Sequence, residues 1–263
     1  MKIFDTHTHY DDVKFDSRFD GDRVAFINHL INEEGVLGAV GVGVDIPSSA
    51  AQIDYAQRIP TFYAACGFHP ANVPLDSDAD EEMERLSLLL NKPKVVAIGE
   101  IGLDYYWEKN PPREIQKLWF EKQLELSLKK DLPVIIHDRE AHGDTLDVIC
   151  RYKETRGVFH CYSGSLEMAR ELVKRDYMVS FTGVVTFKNA TRVEQVVAGI
   201  PMEYIMLETD CPYLAPVPMR SKVNHSGYLI HTAQKIGEIK GIDTQEVIEI
   251  CNANAARFFG ITL

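Results

Sequence analysis

The chain has 263 residues, a formal net charge of −11, and 45% hydrophobic and 25% charged residues, which suits one large α/β domain or two small ones. The acidic balance excludes a general attraction to nucleic acid or anionic membranes, so a phosphate-bearing substrate requires local basic residues or bound cations. No run is long and apolar enough for a transmembrane helix. Asp5, His7 and His9 stand where a signal peptide would be apolar, and the five cysteines include no Cys-x-x-Cys pair. The expectation is a cytoplasmic monomer with reduced thiols.

Short apolar runs recur along the chain, bounded by turn residues: "MKIF", "LGAVGVGV", "TFYAACG", "VVAIG", "PVIIH", "GVFHCY", "YMVSFT" and "YIMLE". Several are continuous rather than alternating, as in parallel strands buried on both faces. Between them lie helix-like segments such as "DRVAFINHLINEE", "EEMERLSLLL", "PREIQKLWFEKQLELSLKK" and "LEMARELVKR". A final helix starts at Asp243 with Glu246 in a capping-box spacing, and Val247, Cys251, Ala255 and Phe258 follow at helical intervals. Eight strands alternating with helices over this length predict a single (β/α)8 TIM-type barrel domain spanning residues 1–263. A doubly wound sheet is the competitor, but residues 7–12 occupy the turn where its Gly-rich loop would lie.

The polar residues that end these runs carry the chemistry. His7 and His9 close the first, His69 the third, Glu100 the fourth, His137 the fifth, His160 the sixth, and Glu208 and Asp210 the eighth. On His-x-His alone, two polar residues at a frayed strand end fit equally well. In a barrel, however, the C-terminal strand ends share one rim, so the scattered residues converge there, and buried imidazoles and carboxylates need partners. Imidazole and carboxylate suit zinc, magnesium, manganese, iron or nickel. Strand alternation predicts that Cys161 and Cys211 point away from this rim, toward the helices. His29, His142 and His231 are expected in surface or capping roles.

The segments "FDTHTHYDD", "CGFHP", "AIGEIGLDYY", "PVIIHDRE", "VFHCYSG" and "LETDCPYLAPVPMRSKVN" closely resemble the TatD family of metal-dependent deoxyribonucleases. The resemblance implies an amidohydrolase-related barrel that uses two divalent cations to cut phosphodiesters in DNA, on single strands or exposed ends. It implies His7, His9, Glu100 and Asp210 as ligands of one cation, and His137 and His160 as ligands of a second, with Glu100 bridging. Asp210 becomes the proton acceptor for the attacking water, Glu208 a helper that orders a water or a histidine, and His69 a contact to substrate phosphate or leaving group. Arg139 is expected either to clamp a phosphate or to pair with a nearby acid. Asp104, Tyr105, Tyr106 and Trp107 fall on the fourth βα-loop, where aromatics can stack on unpaired bases or simply pack the loop. Arg220, Lys222 and Asn224 match the family's basic stretch, whereas Ser221, Val223, His225 and Ser226 depart from it. Two alternatives stand beside the nuclease: a small-molecule amide, lactone or phosphoester hydrolase on the same barrel, and a metal-holding protein without catalysis.

Overall fold

The structure is a computed structural model that describes residues 2–263; Met1, which begins the first apolar run and the predicted domain, lies outside them. All eight apolar runs form strands: β1 (Ile3–Thr8), β2 (Val36–Val42), β3 (Phe62–Cys66), β4 (Val95–Asp104), β5 (Val134–Arg139), β6 (Gly157–Phe159), β7 (Met178–Phe181) and β8 (Ile205–Leu207). They pair in parallel in sequence order, β1 through β8. A parallel bridge between Thr8 and Cys211 brings the last strand back to the first. The fold is a (β/α)8 TIM-type barrel.

Helices cover the outside: α1 (Arg23–Glu33), α2 (Ile46–Arg58), α3 (Ala79–Leu90), α4 (Arg113–Lys130), α5 (His142–Arg151), α6 (Leu166–Lys174), α7 (Thr191–Gly199), α8 (Leu229–Lys240) and α9 (Thr244–Phe259). Their starts follow local chemistry. Asp22, Asp45, Asp78, Ser165 and Asp243 each accept a backbone N–H of the first turn, satisfying donors that the helix itself leaves open. At α9 the Asp243 carboxylate takes the N–H of Gln245.

One buried cluster contains Phe4, Val40, Ala65, Ala97, Ile135, Val158, Met178 and Met206. Since every strand contributes, this cluster fills the barrel interior, where Ala255 and Phe259 of α9 join it. The larger cluster, with Phe26, Leu30, Leu86, Trp119, Phe120, Leu172 and Ile236, lies between strands and helices. Filling the interior from below leaves the C-terminal rim as the place where polar side chains can gather. Among the described residues, no helix is long and apolar enough to cross a membrane.

Candidate metal centre

Six side chains meet at that rim. His7 Nε2 and His9 Nε2 are 3.0 Å apart. Glu100 Oε2 lies 3.5 Å from His7 Nε2 and 3.7 Å from His9 Nε2, and Asp210 Oδ1 lies 3.8 and 3.4 Å from the same two atoms. On the other side of Glu100, Oε1 is 2.7 Å from His137 Nδ1 and 2.8 Å from His160 Nε2, and these two nitrogens are 3.2 Å apart. The two oxygens of one carboxylate therefore face two separate nests of imidazole nitrogen.

Neighbouring groups set which nitrogen faces inward. His9 Nδ1 donates to the Val42 carbonyl at 2.9 Å, which leaves the Nε2 lone pair turned to the nest. Asp104 Oδ2 takes the Nε2–H of His137 at 3.2 Å, which leaves Nδ1 free toward Glu100. Two lone pairs at 3.0 Å, as on His7 and His9, repel unless a proton or a cation lies between them. Each of the groups His7–His9–Glu100, His7–His160–Asp210 and Glu100–His137–His160 keeps its donor atoms within 4.8 Å of one another. Both rings turn Nε2 to the nest; among the described residues buried His7 Nδ1 makes no hydrogen bond, and His160 Nδ1 has Glu208 Oε1 at 3.5 Å. The donor set fits divalent cations of the nitrogen- and oxygen-binding class.

Without a cation the nest regulates its own charge. Burial opposes the charge on Glu100, but the surrounding His160, His69 and His137 hold its carboxyl well below the usual range. Burial likewise opposes a charged His9, yet its bond to Asp210 and the fields of Asp210, Glu100 and Asp11 raise it to about 9.

The remaining predicted residues divide. His69 points inward, with Nε2 3.6 Å from Glu100 Oε1 and its ring edge against His137. Its Nδ1 accepts the Ala71 N–H at 3.1 Å, so the ring proton sits on the inward Nε2; burial pushes its pKa down to about 3 and keeps it neutral. Arg139 pairs with no carboxylate among the described residues; its guanidinium stacks 4.0 Å above the Tyr106 ring. Lys222 is exposed on the rim loop.

Four expectations, those for Asp104, Tyr105, Asn224 and Cys161, need correction. Asp104 is buried and holds His137 and the Tyr106 N–H, so it orients a ligand rather than touching substrate. Tyr105 turns to the outer helices: its hydroxyl donates to Asp144 of α5 at 2.8 Å and Arg113 of α4 covers its ring. Asn224 is fully buried, donating to the Thr209 and Tyr213 carbonyls and accepting from His225 N–H, so it staples the loop. Arg220 is exposed on the rim loop, where its guanidinium lies on Phe187 and donates to the Ala215 carbonyl. Glu208 stands behind His160, with Oε1 3.5 Å from its Nδ1, and accepts from Ser180 Oγ at 2.6 Å and from Cys161 N–H. Alternation fails past the strand ends, since β6 stops at Phe159 and β8 at Leu207. For this reason Cys161, at φ 44°, is not turned to the helices; its thiol contacts Thr182 Oγ1 at 3.6 Å.

Two buried glutamines escaped the sequence reading. On α4, Gln123 accepts the Phe68 N–H and donates to the Phe68 carbonyl, and Gln116 does the same with Asp104. Each clamps the backbone beside a site residue, and their seven-residue spacing on one helix face was the available signal. Gly102, at φ +133°, passes so close to the His137 carbonyl that a Cβ would collide with it.

With this arrangement in view, the comparisons with known proteins carry weight. The family model of TatD-related DNases matches residues 4–260. The chain belongs to this family. The uncharacterized metal-dependent hydrolase YabD of Bacillus subtilis is 38% identical to it over 264 residues, covering 98% of this chain and 99% of its own. YcfH of Escherichia coli K12, named in the same words, is 31% identical, covering 99% and 97%. The TatD homolog YJJV of Escherichia coli K12 has a similar structure, with TM-score 0.88 and 28% identity over 99% of this chain and 98% of its own. This TatD-family barrel is a metal-dependent hydrolase, and its rim holds the ligand types that such an enzyme requires.

Proposed function

We propose that this TatD-family protein is a deoxyribonuclease that hydrolyses phosphodiester bonds in single strands or exposed ends, using two divalent cations. The observation that carries this reading is the divided use of Glu100, one oxygen toward His7 and His9 and the other toward His137 and His160. His7, His9 and Asp210 complete one cation site and His137 with His160 the other. When bound, paired cations lower the pKa of an attacking water and neutralise charge on the phosphoryl oxygens.

The protein's own groups do the rest. Asp210, held near His9 with part of its carboxylate open to solvent, accepts the proton of the attacking water. His69 presents a neutral Nε2–H to the substrate phosphate or leaving oxygen. Glu208 fixes the turn at Cys161 and the His160 ring, and so acts as a positioning residue. Arg139 and Lys222 supply local positive charge on a chain of net charge −11. The five free cysteines fit work in a reducing compartment.

A second reading, hydrolysis of a small phosphoester, lactone or amide, draws on one observation. Asn224, which the family resemblance assigns to substrate, is buried and committed to contacts inside the protein. End-labelled single-stranded DNA and a panel of small esters and amides, each assayed after chelation and after metal is restored, separate the two. Metal-dependent shortening of the DNA supports the nuclease; turnover of the small substrates with intact DNA supports the second reading.

A further inference from the structure

We propose that Tyr106, Trp107 and Arg139 form a stacking platform for the unpaired base beside the scissile phosphodiester. This rests on the phosphodiesterase reading and adds to it the part of the substrate that is recognised. Tyr106 and Trp107 are 51% and 57% exposed, although large aromatic rings normally bury themselves. Their rings meet edge to face, at 89° with centroids 4.8 Å apart, so the contact between them does not bury them. The Arg139 guanidinium lies 4.0 Å from the Tyr106 centroid and 5.6 Å from that of Trp107, and among the described residues no carboxylate neutralises it. A free cation against exposed rings, on an acidic chain, suits a ligand that is both aromatic and anionic. A nucleotide is that ligand.

The platform is fixed relative to the metal centre from two sides. Asp104 accepts the Tyr106 N–H on one oxygen and faces His137 Nε2 with the other. Arg139 follows His137 by two residues on β5, a rise of roughly 6.6 Å along the strand. A base stacked there therefore has its phosphate at the rim that His137 and Glu100 occupy. In a duplex, pairing and stacking hold each base in place, so the base that docks is an unpaired one. Tyr105, tied to Asp144, takes no part in the platform.

The chain has two tryptophans, and the other, Trp119, is 2% exposed, so intrinsic fluorescence reports on Trp107 against a shielded background. The full-length protein, held in chelator to prevent cleavage, is titrated with a short single-stranded DNA oligonucleotide and with the blunt duplex of the same sequence. The expected result is saturable quenching by the single strand, at least ~10-fold tighter than by the duplex. Tyr106→Ala and Arg139→Gln should each weaken it roughly 10-fold, and Tyr106→Phe should stay within about 2-fold of the parent. No quenching, equal quenching by duplex, or a Tyr106→Phe variant as weak as Tyr106→Ala would overturn the platform. The two readings fail separately. Quenching without cleavage after metal is restored keeps the platform and removes the nuclease; cleavage without quenching does the reverse.

Discussion

Asp5 and Thr209 are joined twice, Thr209 N–H to Asp5 Oδ1 at 2.9 Å and Thr209 Oγ1 to Asp5 Oδ2 at 2.6 Å. Asp5 also accepts the His7 N–H, and Ser226 Oγ donates to Oδ2. A single buried carboxylate thus ties the first strand to the segment after the last. The residues it holds directly precede or carry two members of the metal nest, His7 and Asp210. The tie belongs to packing, and its consequence belongs to the site.

Removing this tie should cost stability and metal affinity together. Asp5→Ala strands several buried donors and is expected to destabilise by roughly 3 kcal/mol or more, whereas Thr209→Val, which leaves Ser226 on Asp5, should cost about 1–2 kcal/mol. Urea unfolding of the metal-free proteins measures both. Equal midpoints for Asp5→Ala and the parent would show that the barrel closes without it.

The eight strands were legible because parallel strands buried on both faces read as continuous apolar runs. The nest was legible because its members stand where those runs end. What failed was the extrapolation of a two-residue period beyond Phe159 and Leu207, where the strands had already stopped and Cys161 and Asp210 take left-handed φ values. Asn224 and Tyr105 resemble surface polar residues in sequence, but their partners Thr209 and Asp144 lie 15 and 39 positions away. Asp5 announced itself only as an acid inside an apolar strand, and its partners come from the far end of the chain.

Metal binding should compete with protons. In the metal-free protein His9 is raised to about 9, so at neutral pH a cation must displace its proton, and affinity should increase as pH rises from about 6.5 toward 9. Stability follows the same linkage. A raised histidine contributes stability that is complete below about 6.5 and is lost as pH rises through about 9, so the metal-free protein should weaken across that window. Melting temperatures with and without metal at several pH values test this. A metal-free melting temperature that climbs between pH 7 and 9 would contradict it.

Asp210 and Glu208 should separate kinetically. With saturating metal, Asp210→Asn is expected to lower kcat by roughly 10²–10⁴-fold. Glu208→Gln should instead loosen the His160 side, raising the metal concentration needed for half activity while recovering most of kcat in excess metal. Near-normal kcat in metal-loaded Asp210→Asn would remove its role as proton acceptor.

On the rim loop, Lys222→Gln should weaken DNA binding and flatten its salt dependence without changing the melting temperature. Asn224→Ala should do the opposite, losing about 1–3 kcal/mol of stability because two buried carbonyls lose their donor. Parallel salt titrations and melting curves distinguish them.

The central claim is that Glu100 joins two cation sites, and counting cations tests it most directly. Metal-stripped protein titrated with zinc or manganese, with free and bound metal separated and measured, should bind two ions per chain. Glu100→Gln should weaken both binding steps, because both carboxylate oxygens are engaged. One ion per chain in the parent, or a Glu100→Gln variant that loses one step and keeps the other intact, would contradict the bridge.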